Sequence, residues 1–324
     1  MSQAPNIDGV LIQWGDRLFY PGNRMVNVKP QPRLDAGSRR RRAAAIRQRI
    51  EATVVRRAPQ VMVKVTGGGR CMQAIAAHFR YISKNGRLDI EDERGETLRG
   101  RDTVHEIAED WRFGGSLIDD VAEPGQRREA FNIMLSMPRG TDPLIVQRAA
   151  RDFAQTELAE HKYVMVLHDH QANPHVHISV RAESKHGRRL NPRKTDLHRW
   201  RETFAEKLRD YGVEAEATRQ ATRGLSRQPK TLWRIKARED GRLRNGQQDS
   251  QNGSRSHASR AYAAEAWNHL GKALAMSGDP ADLNLARAIA KHLKSLGSEP
   301  TKSDRNPERD QSPTLGKQDC SVGR

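Results

Sequence analysis

Between Val61 and about Leu225 the chain alternates strand-like and helix-like patterns of apolar and polar positions. Val61 to Val65 is a β-branched run closed by the glycines after Thr66. Arg70 to Lys84 then places Met72, Ile75, Phe79 and Ile82 on one stripe at about 100° per residue, which predicts an amphipathic helix stopped by Asn85-Gly86. A further helix is predicted over Thr103 to Trp111, a buried strand over Ala130 to Met137, and a helix over Pro143 to Leu158 with Asp142 as its N-cap. Lys162 to His168 and His175 to Arg181 are strand-like runs separated by six polar residues, the pattern of a hairpin. A last helix is predicted over about Asp196 to Tyr211.

The flanks read differently. Residues 1–60 show no sustained periodicity, and Ser38 to Arg57 holds eight arginines against the single acid Glu51, so a basic, mostly disordered arm is expected there. After a folded domain over 61–225, a polar linker is expected over 226–258, a short helical hairpin over 259–296 and a disordered tail over 297–324. Low aromatic (5%) and apolar (35%) content agrees with partial disorder. With 57 Lys and Arg against 40 acids the formal charge is +17, the footprint of a polyanion binder, and nucleic acid is the leading partner. No apolar run approaches the roughly 20 residues needed to span a bilayer, so no membrane insertion is expected. The first residues lack a secretory signal pattern, which points to the cytosol. Cys71 and Cys320 make neither a disulfide framework nor a zinc finger.

The chemistry concentrates in His168-Asp-His-Gln-Ala-Asn-Pro-His175-Val-His177. Alternation along a strand puts His175 and His177 on one face and Val176, Ile178 and Val180 on the other. A hairpin closed by 169–174 would bring His168 beside the pair, and three neutral imidazoles leave positions open, as in catalytic metal sites. His170, at an odd offset, is left out. Asp169 or Glu183 are candidates to orient a ligand. On the predicted helix 70–84, Tyr81 falls opposite the apolar stripe near Arg70 and Lys84, suited to meet a phosphate.

The histidine motif, together with Tyr81-Ile-Ser-Lys-Asn-Gly86, resembles conjugative relaxases of the HUH endonuclease superfamily, in the mobilisation and T-DNA border nickase branch. The likeness covers about Gln60 to Leu225, including Ser136 to Thr141 and Thr218 to Gly224. It implies an α+β fold with a central antiparallel sheet and flanking helices. It implies that Tyr81 is the nucleophile and that His168, His175 and His177 hold Mg2+ or Mn2+, with no organic cofactor. Tyrosine before histidines resembles relaxases, whereas rolling-circle replication and transposition nickases place it after. A non-catalytic basic DNA-binding protein is the other alternative. Among the acids Asp102, Glu106, Asp110 and Glu129, none matches the family's pattern for a general base. Lys84, Arg139, Arg188, Arg189, Arg193 and Lys194 are candidates to guide single-stranded or locally melted DNA. The resemblance further implies action at a plasmid origin of transfer, an accessory nicking protein, a type IV coupling protein and passage of the protein with its strand. Residues beyond about Gln228 are expected to serve transfer rather than chemistry.

Overall fold

A computed structural model describes residues 6–20, 35–123, 127–219, 222–223 and 250–297. The central element is a six-stranded antiparallel sheet built from β1 (Met62–Gly67), β2 (Ile90–Asp92), β3 (Thr97–Leu98), β4 (Ala130–Ser136), β5 (His161–His168) and β6 (His175–Ser184), in the order β1-β4-β6-β5-β2-β3. The expected hairpin is the β5–β6 pair, with His168 opposite His175 and Val166 opposite His177. The fold is therefore α+β, and β6 lies in the interior of the sheet, hydrogen-bonded to β4 and β5.

Alternation decides what each face covers. Val176, Ile178 and Val180 of β6 join Phe131, Ile133 and Leu135 of β4 in a core that α5 (Pro143–Glu157) and α6 (Lys194–Asp210) close with Phe153, Trp200 and Phe204. Asp142 caps α5 as expected, accepting from the Leu144 backbone N–H at 2.8 Å. On the other face, Val164 and Val166 pack with α3 (Met72–Ile82) and α4 (Arg101–Phe113) through Ile75, Phe79, Ile82, Val104 and Trp111. Residues 175, 177, 179 and 181 point to this second face. α3 stops abruptly after Ile82 because Lys84, Asn85 and Gly86 all take positive φ (51°, 58° and 76°). At Gly86 a side chain is ruled out, since a Cβ would lie 2.3 Å from the Gly100 carbonyl.

Where a mostly disordered arm was expected, the described residues hold two helices, α1 (Ile7–Phe19) and α2 (Ala36–Ile50). They pack against α7 (Ser250–Ala275) and α8 (Pro280–Gly297), so Leu11, Leu18, Phe19, Ile46 and Ile50 share one core with Trp267, Leu270 and Leu274. α7 begins inside the stretch expected to be linker. Residues 1–5 and 21–34 of the expected arm, most of that linker and the tail from 298 lie outside the described residues. Four of the eight arginines prove structural: Arg42 pairs with Asp16, Arg47 with Asp8 and Asp282, Arg49 with Glu202 and Glu216, and Arg56 with Glu214. Their acidic partners lie far along the chain, which is why the run reads as free charge in sequence. Trp267 donates from Nε1 to the Thr222 carbonyl at 2.7 Å, and Thr222 donates to the Leu18 carbonyl, so Thr222 links the C-terminal helices to the N-terminal ones. Trp267→Ala is expected to cost about 3–5 kcal/mol in urea unfolding, the range for emptying a buried tryptophan site. A loss under about 1 kcal/mol would mean that this helical core does not unfold with the rest.

Candidate active site

The β5–β6 register brings His168, His175 and His177 together, and one ring nitrogen from each lies within 4.8 Å of the others. Ring centroids stand 4.7 to 5.1 Å apart, and all three residues are buried. Two rings are fixed by backbone carbonyls. His168 Nε2 faces the Ile82 carbonyl at 2.7 Å and His175 Nδ1 faces that of Asn173 at 2.9 Å. A carbonyl can only accept, so these nitrogens carry the protons and the opposite nitrogen of each ring keeps its lone pair. His177 has its Nδ1 buried without a partner. Burial, reinforced by His168, His175 and His78, pushes His177 down to about 3, and burial also lowers His168. His168 and His177 are thus neutral at pH 7, the form a ligand needs. Three converging lone pairs with no carboxylate in the group fit a divalent ion that keeps open positions. Their intrinsic preference runs to the later transition metals over magnesium.

Tyr81 stands on the exposed side of α3, 69% accessible, while Met72, Ile75, Phe79 and Ile82 are buried, as the stripe predicted. Its ring centroid lies 6.4 Å from that of His177. A residue the sequence reading missed sits beside both. His78, one helical turn before Tyr81, is 6.1 Å from the Tyr81 ring and 6.4 Å from His177, and its Nε2 is buried without a partner. Desolvation holds it near 4, so it is a neutral imidazole. The i, i+3 spacing to Tyr81 was a usable signal, since such pairs share a helix face.

The other candidates separate by position. Lys84 is exposed just past α3, and its charge is felt at His168. Arg139 is exposed in the turn after β4, whose neighbour Met137 bonds to the Pro174 carbonyl, so it lies at the histidine end of the sheet. Arg188 and Arg189 do not reach the histidines. They fold back against the far end of β6, about 20–30 Å away at ~3.3 Å per residue, and Arg189 is held by Glu129 and the Arg128 carbonyl. Arg193 and Lys194 begin α6, which packs on the opposite face from the histidines. Glu183 accepts from Ser116 and pairs with Arg181 and so orients no ligand, while Asp169 is exposed. Among the acids considered, Asp110 pairs with Lys162, Glu129 with Arg189, and Asp102 and Glu106 are exposed on α4.

The chain thus holds a tyrosine on a helix beside a histidine trio carried by an antiparallel sheet, and it is similar to known proteins over this region. Residues 81–213 match the family model described as "Relaxase: MobA/VirD2-like, nuclease domain". The chain is also similar to T-DNA border endonuclease VirD2 of Agrobacterium fabrum, 25% identical over 189 residues that cover 53% of this chain and 42% of that protein. Its counterpart from Rhizobium radiobacter is 24% identical, over 53% and 45%. The chain spans less than half the length of these curated relatives. No helix among the described residues is long and apolar enough to cross a membrane.

Two outcomes follow from this geometry. Removing a ligand should weaken manganese binding of His177→Ala by more than the roughly 10–100-fold typical of an outer-shell change, and unchanged affinity by calorimetry would show that the trio is not the site. The second concerns acid. His177 and His78 take up protons at an ordinary pH near 6.5 when unfolded but only near 3 and 4 when folded. The unfolded state therefore binds more protons between those values, and stability present above about 6.5 drains as pH falls toward 4. The melting temperature of the metal-free protein should drop across that window, and less so in His78→Phe; identical acid profiles would contradict the assignment.

Proposed function

We propose that this protein is a relaxase that nicks one DNA strand at an origin of transfer and later rejoins it. The observation that carries the reading is an exposed tyrosine beside three buried, convergent imidazoles. The Tyr81 hydroxyl oxygen attacks the phosphorus of the scissile phosphodiester, the P–O3′ bond breaks, and the strand leaves with a 3′-hydroxyl while its 5′-phosphate stays esterified to Tyr81. The phosphodiester energy is conserved, so a free 3′-hydroxyl reverses the step without ATP. A divalent ion, Mg2+ or Mn2+ in the cell, held by His168, His175 and His177 would supply Lewis-acid stabilisation of charge on the non-bridging oxygens. The tyrosine's accessibility suits it to a strand that is single or locally melted, since a stacked duplex would keep the phosphate out. Lys84 and Arg139, both exposed at the histidine end, would pair with flanking phosphates.

On this reading the protein works in the bacterial cytoplasm with an accessory nicking protein, and a type IV coupling protein passes it with the strand to a recipient. The packing of α7 and α8 against α1 and α2 means that a chain ending near Gln228 would bare an apolar core, so any signal read by a coupling protein must coexist with a structural duty. Tyr81→Phe should abolish nicking and the covalent adduct on denaturing gels with Mg2+ or Mn2+, while DNA affinity changes by less than about twofold, because only the nucleophilic oxygen is lost. A covalent adduct persisting in that variant would overturn the reading.

A further inference from the structure

Of the three clustered histidines, two are oriented from behind by a backbone carbonyl and one is not. His168 Nε2 donates to the Ile82 carbonyl and His175 Nδ1 to that of Asn173, whereas Nδ1 of His177 is buried with no partner. A histidine that holds a metal through one ring nitrogen carries its proton on the other, and that N–H ordinarily meets an acceptor that fixes both ring and tautomer. Leaving it buried and unmet is costly. The sheet offers His177 little, since its cross-strand neighbours on the same face are Met134 and Val166, neither of which brings a strong acceptor. The acceptor has to come from α3, which packs over this face through Ile75, Phe79 and Ile82.

α3 supplies it in His78. This residue is half-buried, and the nitrogen it turns inward is Nε2, itself without a partner. The rings of His78 and His177 stand 6.4 Å apart between centroids and meet edge to face at 75°. Two buried, unmatched imidazole nitrogens thus belong to neighbouring rings, and in neutral imidazoles one can donate while the other accepts. At this separation even nitrogens aimed straight at each other stand beyond the ~3.2 Å limit of a direct hydrogen bond, yet within reach of one bridging water. The other α3 ring beside His177, that of Tyr81, is exposed, which leaves His78 as the inward-facing one.

We propose that His78 is a positioning residue for the metal site: its Nε2 accepts, through one water, the hydrogen bond that begins at His177 Nδ1–H, and so holds His177 with the lone pair of Nε2 toward the ion. This role rests on the reading of the trio as a metal site. It makes α3 the back wall of two ligands, because the Ile82 carbonyl at the end of the helix serves His168 and His78, one turn earlier, serves His177. Tyr81 lies between these two in the helix, so the packing that places Tyr81 also orients the imidazoles.

The first test takes the metal-free, full-length protein and reads the protonated nitrogen of each histidine ring from proton–nitrogen correlation spectra. The proton of His177 and that of His78 are both expected on Nδ1. A proton on Nε2 of either ring would overturn the proposal, and the spectrum needs neither DNA nor cleavage. The second test is manganese titration by calorimetry. His78→Phe keeps a ring and removes the acceptor, and should weaken manganese binding by about 10–100-fold, the effect of losing an orienting partner. His78→Gln, whose side-chain carbonyl can accept, should recover most of that loss. Unchanged affinity in His78→Phe, or an equal loss in both variants, would contradict the role. A parent protein that binds no manganese would overturn the metal-site reading and this role with it, whereas the wrong tautomers beside intact manganese binding would overturn the role alone.

Discussion

The hydrogen bond from His168 Nε2–H to the Ile82 carbonyl, 2.7 Å long and buried, joins the two halves of the site. Ile82 is the last residue of α3, and its carbonyl is one of those that a helix end leaves without an internal partner. The left-handed run at Lys84 to Gly86 turns the chain away and leaves this carbonyl free to accept. His168 therefore does two things at once. It caps the helix whose penultimate residue is Tyr81, and in doing so it sets its own tautomer, with the lone pair on Nδ1. The spacing between Tyr81 and the imidazoles follows from one contact between strand β5 and helix α3, supported below by Ile82, Phe79 and Val166 in the shared core.

Strand alternation does the remaining placement. The same ten-residue strand, β6, sends valine and isoleucine into the α5/α6 core and histidines to the α3 side, so the metal-type cluster is carried on a rigid, doubly paired strand rather than on a loop. Burial then keeps His168 and His177 neutral, which favours metal over protons. The charge of +17 is not spread evenly over these tasks. Arg42 joins α2 to α1, Arg47 joins it to α1 and α8, Arg49 and Arg56 reach Glu202, Glu214 and Glu216 in and after α6, and Lys84 and Arg139 stand at the histidine end.

Patterns of local origin were legible. The β5–β6 hairpin followed from period two, α3 and α5 from their stripes and caps, and Tyr81 from lying off its stripe. The family likeness rested on those same residues. What sequence hid was set by distant partners. The buried stripe of α2, Ala43, Ile46 and Ile50, is interleaved with arginines, and it is covered by helices more than 200 residues away, as the Arg47–Asp282 pair shows. The two-residue strand β3 is too short to carry a period. The cations failed for another reason. Arg188, Arg189, Arg193 and Lys194 follow the histidine strand closely in sequence, yet an extended strand carries the chain away at ~3.3 Å per residue, so proximity in sequence became distance in space. His78 was overlooked because an isolated histidine has no pattern until its helical neighbour is given a role.

The central claim is that the oxygen of Tyr81 becomes the covalent link to DNA. Incubating the protein with single-stranded origin DNA and Mn2+, digesting both components and mapping the cross-linked peptide by mass spectrometry tests it directly. The account predicts a nucleotide remnant joined through a 5′-phosphate to Tyr81. A remnant on any other residue, or cleavage that leaves no covalent peptide, would contradict it.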